Sequence, residues 1–303
     1  MPAPLILFVY NRVDHTKQTL KAVSENILAK NTELFLFSDG AKGENDRSEV
    51  ALVRRYIDEF REDNVFKNVY IEKASCNNGL ANSIINGVSK VIRKYGKVIV
   101  LEDDLVTSPY FLKFMNDCLD YYENNNKVWS IGGTTYEMNS LKNYPHSVYA
   151  IWRAESCGWA TWEDRWEKVD WEMRDYISFM KDRKRKKVFQ EKCGEDIIIG
   201  LKKQMLGWTD SWAVRWCYQQ FKENMVTICP VQSLIKNIGF DGSGIHSDSY
   251  DRFHIAIEKE EISYILEDIE PDKKIVDEFC GYFKRSIGTR IYEFITMCLK
   301  RKI

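Results

Sequence analysis

The chain predicts an α/β fold: a mostly parallel central sheet flanked by helices, with a C-terminal helical extension. Two observations predict it. Over residues 1–124, short apolar strand-like runs alternate with segments of helical periodicity. Repeated βα units imply a parallel sheet with right-handed crossovers. The second observation is Lys97-Val-Ile-Val-Leu-Glu102, an apolar run that leads into three consecutive acids, Glu102, Asp103 and Asp104. Such a run reads as a strand buried on both faces.

In order, Leu5–Tyr10 reads as the first strand, and Asp14 as the cap of a helix from His15 to about Leu28. Glu33–Ser38 is the next strand and ends at Asp39-Gly40. An amphipathic helix spans Asp46–Phe60, Val69–Glu72 is a short strand, and Asn77-Asn78-Gly79 is a turn. Leu80–Tyr95 is helical, with Leu80, Ile84, Val88, Val91 and Ile92 on one face. A helix follows from Pro109, a residue suited to a first helical turn, to about Asn124. Val128–Gly132, Val148–Trp152 and Met225–Cys229 read as strands, the last closed by Pro230, and Ser211–Phe221 as a helix. Asp182–Lys187 reads as an exposed basic helical face or loop, and Asp241–Gly244 as a turn. Eight of the nine tryptophans lie between Trp152 and Trp216, so they mark either a packed subdomain or platforms for sugar rings.

The bulk properties narrow the function. The 303 residues carry a formal net charge of −1, which gives no case for a nucleic-acid binder. None of the eight cysteines forms a Cys-x-x-Cys pair, so no zinc or redox motif is visible and reduced thiols are expected. No basic region precedes the Pro4–Tyr10 run, and no apolar run approaches membrane-spanning length. These points set the expectation of a cytoplasmic protein.

Ligands of open α/β sheets bind outside the carboxyl ends of the strands. Three adjacent acids there repel one another, and a hard divalent cation with substrate phosphates relieves the repulsion. The alternative is a solvated turn. No Gly-x-Gly-x-x-Gly follows the first strand and no Gly-Lys-Ser/Thr loop is present, which argues against dinucleotide and P-loop enzymes.

Five ordered segments over residues 4–246 resemble one family. They are Leu7-Phe-Val-Tyr-Asn11-Arg12, Ser38-Asp39-Gly40, Asn77-Asn-Gly-Leu-Ala81, Glu102-Asp103-Asp104-Leu105, and Thr209-Asp210-Ser-Trp212 with Ile228-Cys-Pro230 and Ile238-Gly-Phe-Asp241 downstream. Together they resemble GT-A-fold glycosyltransferases of the family-2-like bacterial type. They are also similar to the eukaryotic β-1,2-N-acetylglucosaminyltransferase of N-glycan branching. The resemblance implies a GT-A domain over 1–246, with a nucleotide-sugar half (1–127) and an acceptor half (128–246), and an extension over 247–303. It implies metal-dependent, inverting transfer from a nucleotide-diphosphate sugar, a UDP-sugar first, to a saccharide or lipid-linked saccharide in surface polysaccharide biosynthesis. Mn2+ or Mg2+ is the implied cofactor.

The resemblance also assigns roles. Asp104 would bind the metal directly, Asp103 the ribose or a metal-bound water, and Glu102 the donor sugar. Asp39 would accept from the base, or serve as a strand-end turn residue. Arg12 would meet the base edge or a phosphate oxygen, or form an ordinary ion pair. Asp210, between Trp208 and Trp212, is the candidate base, or the N-cap of the following helix. Glu155, Glu195 and Asp196 are rival bases. His246 is a candidate metal ligand, or a surface histidine. Trp159, Trp208 and Trp212 are the tryptophans expected to reach an acceptor. The basic amphipathic segment Lys284–Ile303 suits either an anionic membrane surface or docking on the body. Two other functions remain open: a sugar-phosphate nucleotidyltransferase, which would normally show a Gly-rich loop after the first strand, and a non-catalytic carbohydrate-binding protein.

Overall fold

A computed structural model describes residues 1–242, 255–257, 263–285 and 288. The elements of the first half are β1 (Leu5–Val9), α1 (Val13–Ser24), β2 (Glu33–Ser38), α2 (Arg47–Glu62), β3 (Asn68–Lys73), α3 (Leu80–Tyr95), β4 (Lys97–Glu102), β5 (Leu105–Thr107) and α4 (Phe111–Tyr121). Those of the second half are β6 (Val128–Gly132), β7 (Val148–Ile151), β8 (Trp159–Trp162), α5 (Glu163–Trp166), α6 (Tyr176–Lys181), α7 (Arg183–Cys193), α8 (Ile197–Met205), α9 (Trp212–Glu223), β9 (Val226–Pro230), β10 (Ile235–Asn237) and α10 (Lys273–Gly281).

Eight strands form one sheet in the order β3-β2-β1-β4-β8-β6-β9-β7. β3, β2, β1 and β4 are mutually parallel. β8 runs antiparallel to both β4 and β6, and β9 parallel to β6, so β6 and β9 point the same way as β4. β7 is antiparallel to β9. The sheet is therefore mostly parallel and flanked by helices, consistent with a GT-A fold. A separate two-stranded ribbon pairs β5 with β10.

The buried strands explain themselves by alternation. Leu5, Leu7 and Val9 of β1 join Leu20 and Val23 of α1, Val53 and Ile57 of α2, and Phe111 and Leu112 of α4 in one core. Ile6 and Phe8 point to the other face and join Ile84 and Val88 of α3 and Trp129, Trp159, Trp166, Trp212 and Trp216 in a second core. A third cluster sets Ile275 and Phe279 of α10 against Tyr149 and Ile151 of β7. Among the described residues, no helix is long and apolar enough to cross a membrane.

Several boundaries differ from expectation. Arg12, not Asp14, occupies the cap position of α1, and Asp14 lies in its first turn. That helix stops at Ser24, where a turn and a short 3-10 segment at Ala29–Asn31 take over. Pro109 precedes α4, because Ser108 forms a turn that accepts the Phe111 amide at 3.1 Å. Ser211, not Asp210, caps α9, accepting from the Val214 amide at 3.4 Å. Pro230 belongs to β9, opposite Val148. The basic run 183–187 starts α7, capped by the Asp182 carboxylate. β5, β8 and β10 had no counterpart in the sequence reading. His246 and most of 284–303 lie outside the described residues.

Candidate active site

The chain passes from β1 outward to β2 and β3, then returns to set β4 on the other side of β1. The strand order reverses between β1 and β4, and that crevice is where such sheets hold ligands. Arg12 follows β1, and Glu102, Asp103 and Asp104 end β4. Arg12 Nη2 donates to Asp103 Oδ1 at 2.5 Å and to Asp104 Oδ2 at 2.8 Å. The Tyr10 amide donates to the other Asp103 oxygen at 3.4 Å, and Thr19 Oγ1 to the Asp103 carbonyl at 2.8 Å. Asp103 is thus 4% exposed and fully engaged. The Glu102 carboxylate makes no hydrogen bond or ion pair among the described residues.

One guanidinium faces three carboxylates, so the cluster is short of positive charge. Burial, then repulsion from Asp104 and Asp103, pushes Glu102 up to about 8 against only weak help from Arg12. Burial pushes Asp103 up to about 6, although Arg12 and the Tyr10 amide oppose it. Burial disfavours the Arg12 charge, but Asp103 and Asp104 outweigh it and raise its pKa further above the ordinary arginine value.

Among the described residues, no three His, Cys, Asp or Glu side chains are arranged to enclose a metal ion. The donor chemistry nevertheless fits a hard cation held by one or two carboxylates and completed by phosphate oxygens. Glu102 without a partner and the half-satisfied Asp104 are the free oxygen donors. The segment after β10 closes over them. The Ile238 amide donates to the Asp104 carbonyl at 2.9 Å, and a Cβ at Gly239 would lie 2.3 Å from Asp104 Oδ2. A side chain at position 239 would have to displace the Asp104 carboxylate. His15 lies between the Ile238 carbonyl (3.3 Å) and Asp241 Oδ2 (3.2 Å).

Asp39 follows β2 at the same edge and clamps the loop before α3. Its oxygens accept from the amides of Gly40 (2.8 Å), Asn78 (2.9 Å) and Gly79 (3.1 Å) and from Asn77 Nδ2 (3.1 Å). A carboxylate offers about four lone-pair sites, so Asp39 shapes the loop rather than offering an open acceptor. Arg54, from α2, ties the neighbouring strand ends together. Its Nη2 donates to the carbonyls of Asp39 (3.1 Å) and Ala74 (2.6 Å). Helical periodicity does not distinguish this arginine from its surface neighbours.

Asp210 reaches the same loop from the second half. Its Oδ2 accepts from the Ala81 amide at 3.1 Å, in the first turn of α3. It thus caps a helix, but α3 and not the one that follows it. The φ of Gly79 is +79°, and a Cβ there would lie 2.6 Å from Asp210 Oδ2.

The rival bases separate from one another. Asp196 is held by Arg153 through two bonds of 2.7 and 2.9 Å. Glu155 is 4% exposed and has no hydrogen-bond partner among the described residues. It packs on Gly132, which Cys229 Sγ also approaches, at the carboxyl edge of β6. Burial pushes it up to about 7, with Arg153 pulling it down. Glu195 lies beside Asp196 and adds no carboxylate to the Arg12 cluster. Trp159 and Trp212 are not at the surface as expected. They stack at 5.0 Å and are 1% and 2% exposed, in a pile that continues through Trp166 and Trp216. Burying several large rings releases more free energy than exposing them to a polar ligand. Trp208 is half-buried.

No family model matches the chain, and neither does any curated protein. Among solved structures, the chain is similar to the mannosyltransferase PcManGT from Pyrobaculum calidifontis, in complex with GDP-Man and Mn2+. The TM-score is 0.40 and the identity 12%, over 73% of this chain and 76% of that one. It is also similar to S. aureus TarS 1-349, with TM-score 0.39 and 11% identity over 53% of this chain and 47% of that one. A longer S. aureus TarS structure gives TM-score 0.33 and 13% identity over 41% and 20%. The match therefore spans less than half of either TarS chain.

Proposed function

We propose that the chain is a metal-dependent glycosyltransferase. It moves a sugar from a nucleotide-diphosphate sugar, a UDP-sugar first, to a saccharide hydroxyl, with inversion. The acceptor is a saccharide or lipid-linked saccharide in surface polysaccharide assembly, at the inner face of a membrane. The observation that carries the reading is the convergence at one sheet edge of Arg12, the Glu102–Asp104 run, the Asp39-clamped loop and Asp210. The five ordered motifs that resemble GT-A enzymes supply these same residues.

The roles follow from chemistry. Asp39 meets the nucleotide through the 77–79 loop it orders. Asp104 would hold Mn2+ or Mg2+, which when bound neutralises the leaving diphosphate, and Asp103 beside it would meet the ribose or a metal-bound water. Arg12 offers a guanidinium to the phosphates, and Glu102 an acceptor to a donor-sugar hydroxyl. Asp210 takes the proton from the acceptor hydroxyl as that oxygen bonds to the anomeric carbon and the bond to diphosphate breaks. His246 remains a proposed further metal ligand.

Melting temperature against a panel of nucleotides and nucleotide sugars, with and without Mn2+ or Mg2+, tests this. Ligands that bind only the folded chain raise it by mass action. A metal-dependent rise with one diphosphate nucleotide, absent in Asp104→Ala, is expected. No rise with any diphosphate nucleotide overturns the reading in favour of a carbohydrate-binding protein.

A further inference from the structure

A second cavity lies on the same sheet edge. It has a volume of about 500 Å3, within the range of small-ligand sites. β6 and β9 point the same way as β4, and β7 enters the sheet opposite the end of β9. The segments after β6 (Glu137, Lys142), before β7 (Tyr144, His146) and after β9 (Gln232) therefore all emerge at the carboxyl edge, and they line this cavity together with Tyr110. From β4 to β9 is three strand spacings, roughly 14 Å. None of Arg12, Glu102, Asp103 or Asp104 lines the cavity, yet it opens at the same edge.

Its chemistry is mixed. Tyr110 and Tyr144 are half-buried, and their hydroxyls have no hydrogen-bond partner among the described residues; the same holds for the side chains of Glu137, Lys142 and Gln232. His146 Nδ1 is fixed on Glu267 at 2.7 Å, which leaves Nε2 toward other partners. The Tyr144 and His146 rings meet edge-on at 5.0 Å. Lys142 and Glu137 balance in charge, so the lining favours no anion. Aromatic faces beside donors and acceptors of both kinds suit a neutral, hydroxyl-rich ligand.

We propose that this cavity is an oligosaccharide subsite, which holds acceptor sugars remote from the transferring hydroxyl. The inference rests on the glycosyltransferase reading for its role, though not for its ligand. The test uses the full chain, its Tyr144→Ala and Gln232→Ala variants, and an array of purified monosaccharides and longer oligosaccharides. Melting with nucleotide and Mn2+ is run in parallel. The wild-type chain is expected to retain oligosaccharides and not monosaccharides. Each variant is expected to lose about tenfold in affinity while keeping the wild-type nucleotide-dependent rise. Variants that bind glycans as the wild type does, or an array that retains nothing, overturn the proposal. Glycan binding lost in the variants, with no nucleotide-dependent rise in any of the proteins, upholds the saccharide site and removes the transferase role instead.

Discussion

Glu155 is a buried carboxyl with no hydrogen bond among the described residues to compensate its loss of water. Its ordinary value of 4.5 rises to about 7 on folding. Between those two values the folded chain binds more protons than the unfolded one, so stability falls as pH rises through that window and levels off above about 7. Glu155→Gln removes the penalty. It is expected to stabilise the chain little at pH 5 and by on the order of 2 kcal/mol at pH 8, read as a melting difference that widens with pH. A constant difference would mean that the carboxyl is not the cause. At Gly40, an added Cβ would lie 2.4 Å from the Cys76 carbonyl carbon and 2.8 Å from the Asn77 amide. Both are backbone atoms, so Gly40→Ala is expected to cost about 1–3 kcal/mol and to weaken nucleotide binding by disturbing the Asp39 loop. Calorimetry and titration of the variant check the two effects separately.

Among the elements, α3 joins the two halves of the site through its first turn. Asp210→Asn keeps an acceptor oxygen for the Ala81 amide, whereas Asp210→Ala removes it. The Asn variant is expected to melt near the wild type, keep donor binding and lose transfer. The Ala variant should lose about 1 kcal/mol of stability as well. Full transfer by the Asn variant would exclude Asp210 as the base. Element by element, strands β1, β2 and β4 were legible as apolar runs of five or six residues and helix α3 by its helical period. The ribbon β5–β10 was not, because strands of three residues have no period to read. Nor was β8, whose Trp-Ala-Thr-Trp is buried on both faces and follows a loop. The site divided the same way. Three acids at a strand end are visible in sequence, but their partner Arg12 lies 91 and 92 residues away. The Asp210–Ala81 bond spans 129 residues. Contacts of that kind are set by topology and leave no local trace.

For the molecule as a whole, the tryptophan pile is a wall between the sheet and α9, not a landing place for sugars. Trp159→Ala is expected to cost about 3–5 kcal/mol without a selective loss of saccharide binding, measurable by denaturant unfolding beside the glycan array. The Arg12 guanidinium has a wider consequence. It gives the acidic strand end a counter-ion of its own, so the chain can reach its folded state before any metal or nucleotide is at hand. An incoming cation alone must compete with that guanidinium for Asp104, whereas a cation that travels with a diphosphate offers Arg12 new anionic partners in return. On the proposed reading, the order of arrival is therefore written into the apo fold: metal and donor come together, or scarcely at all.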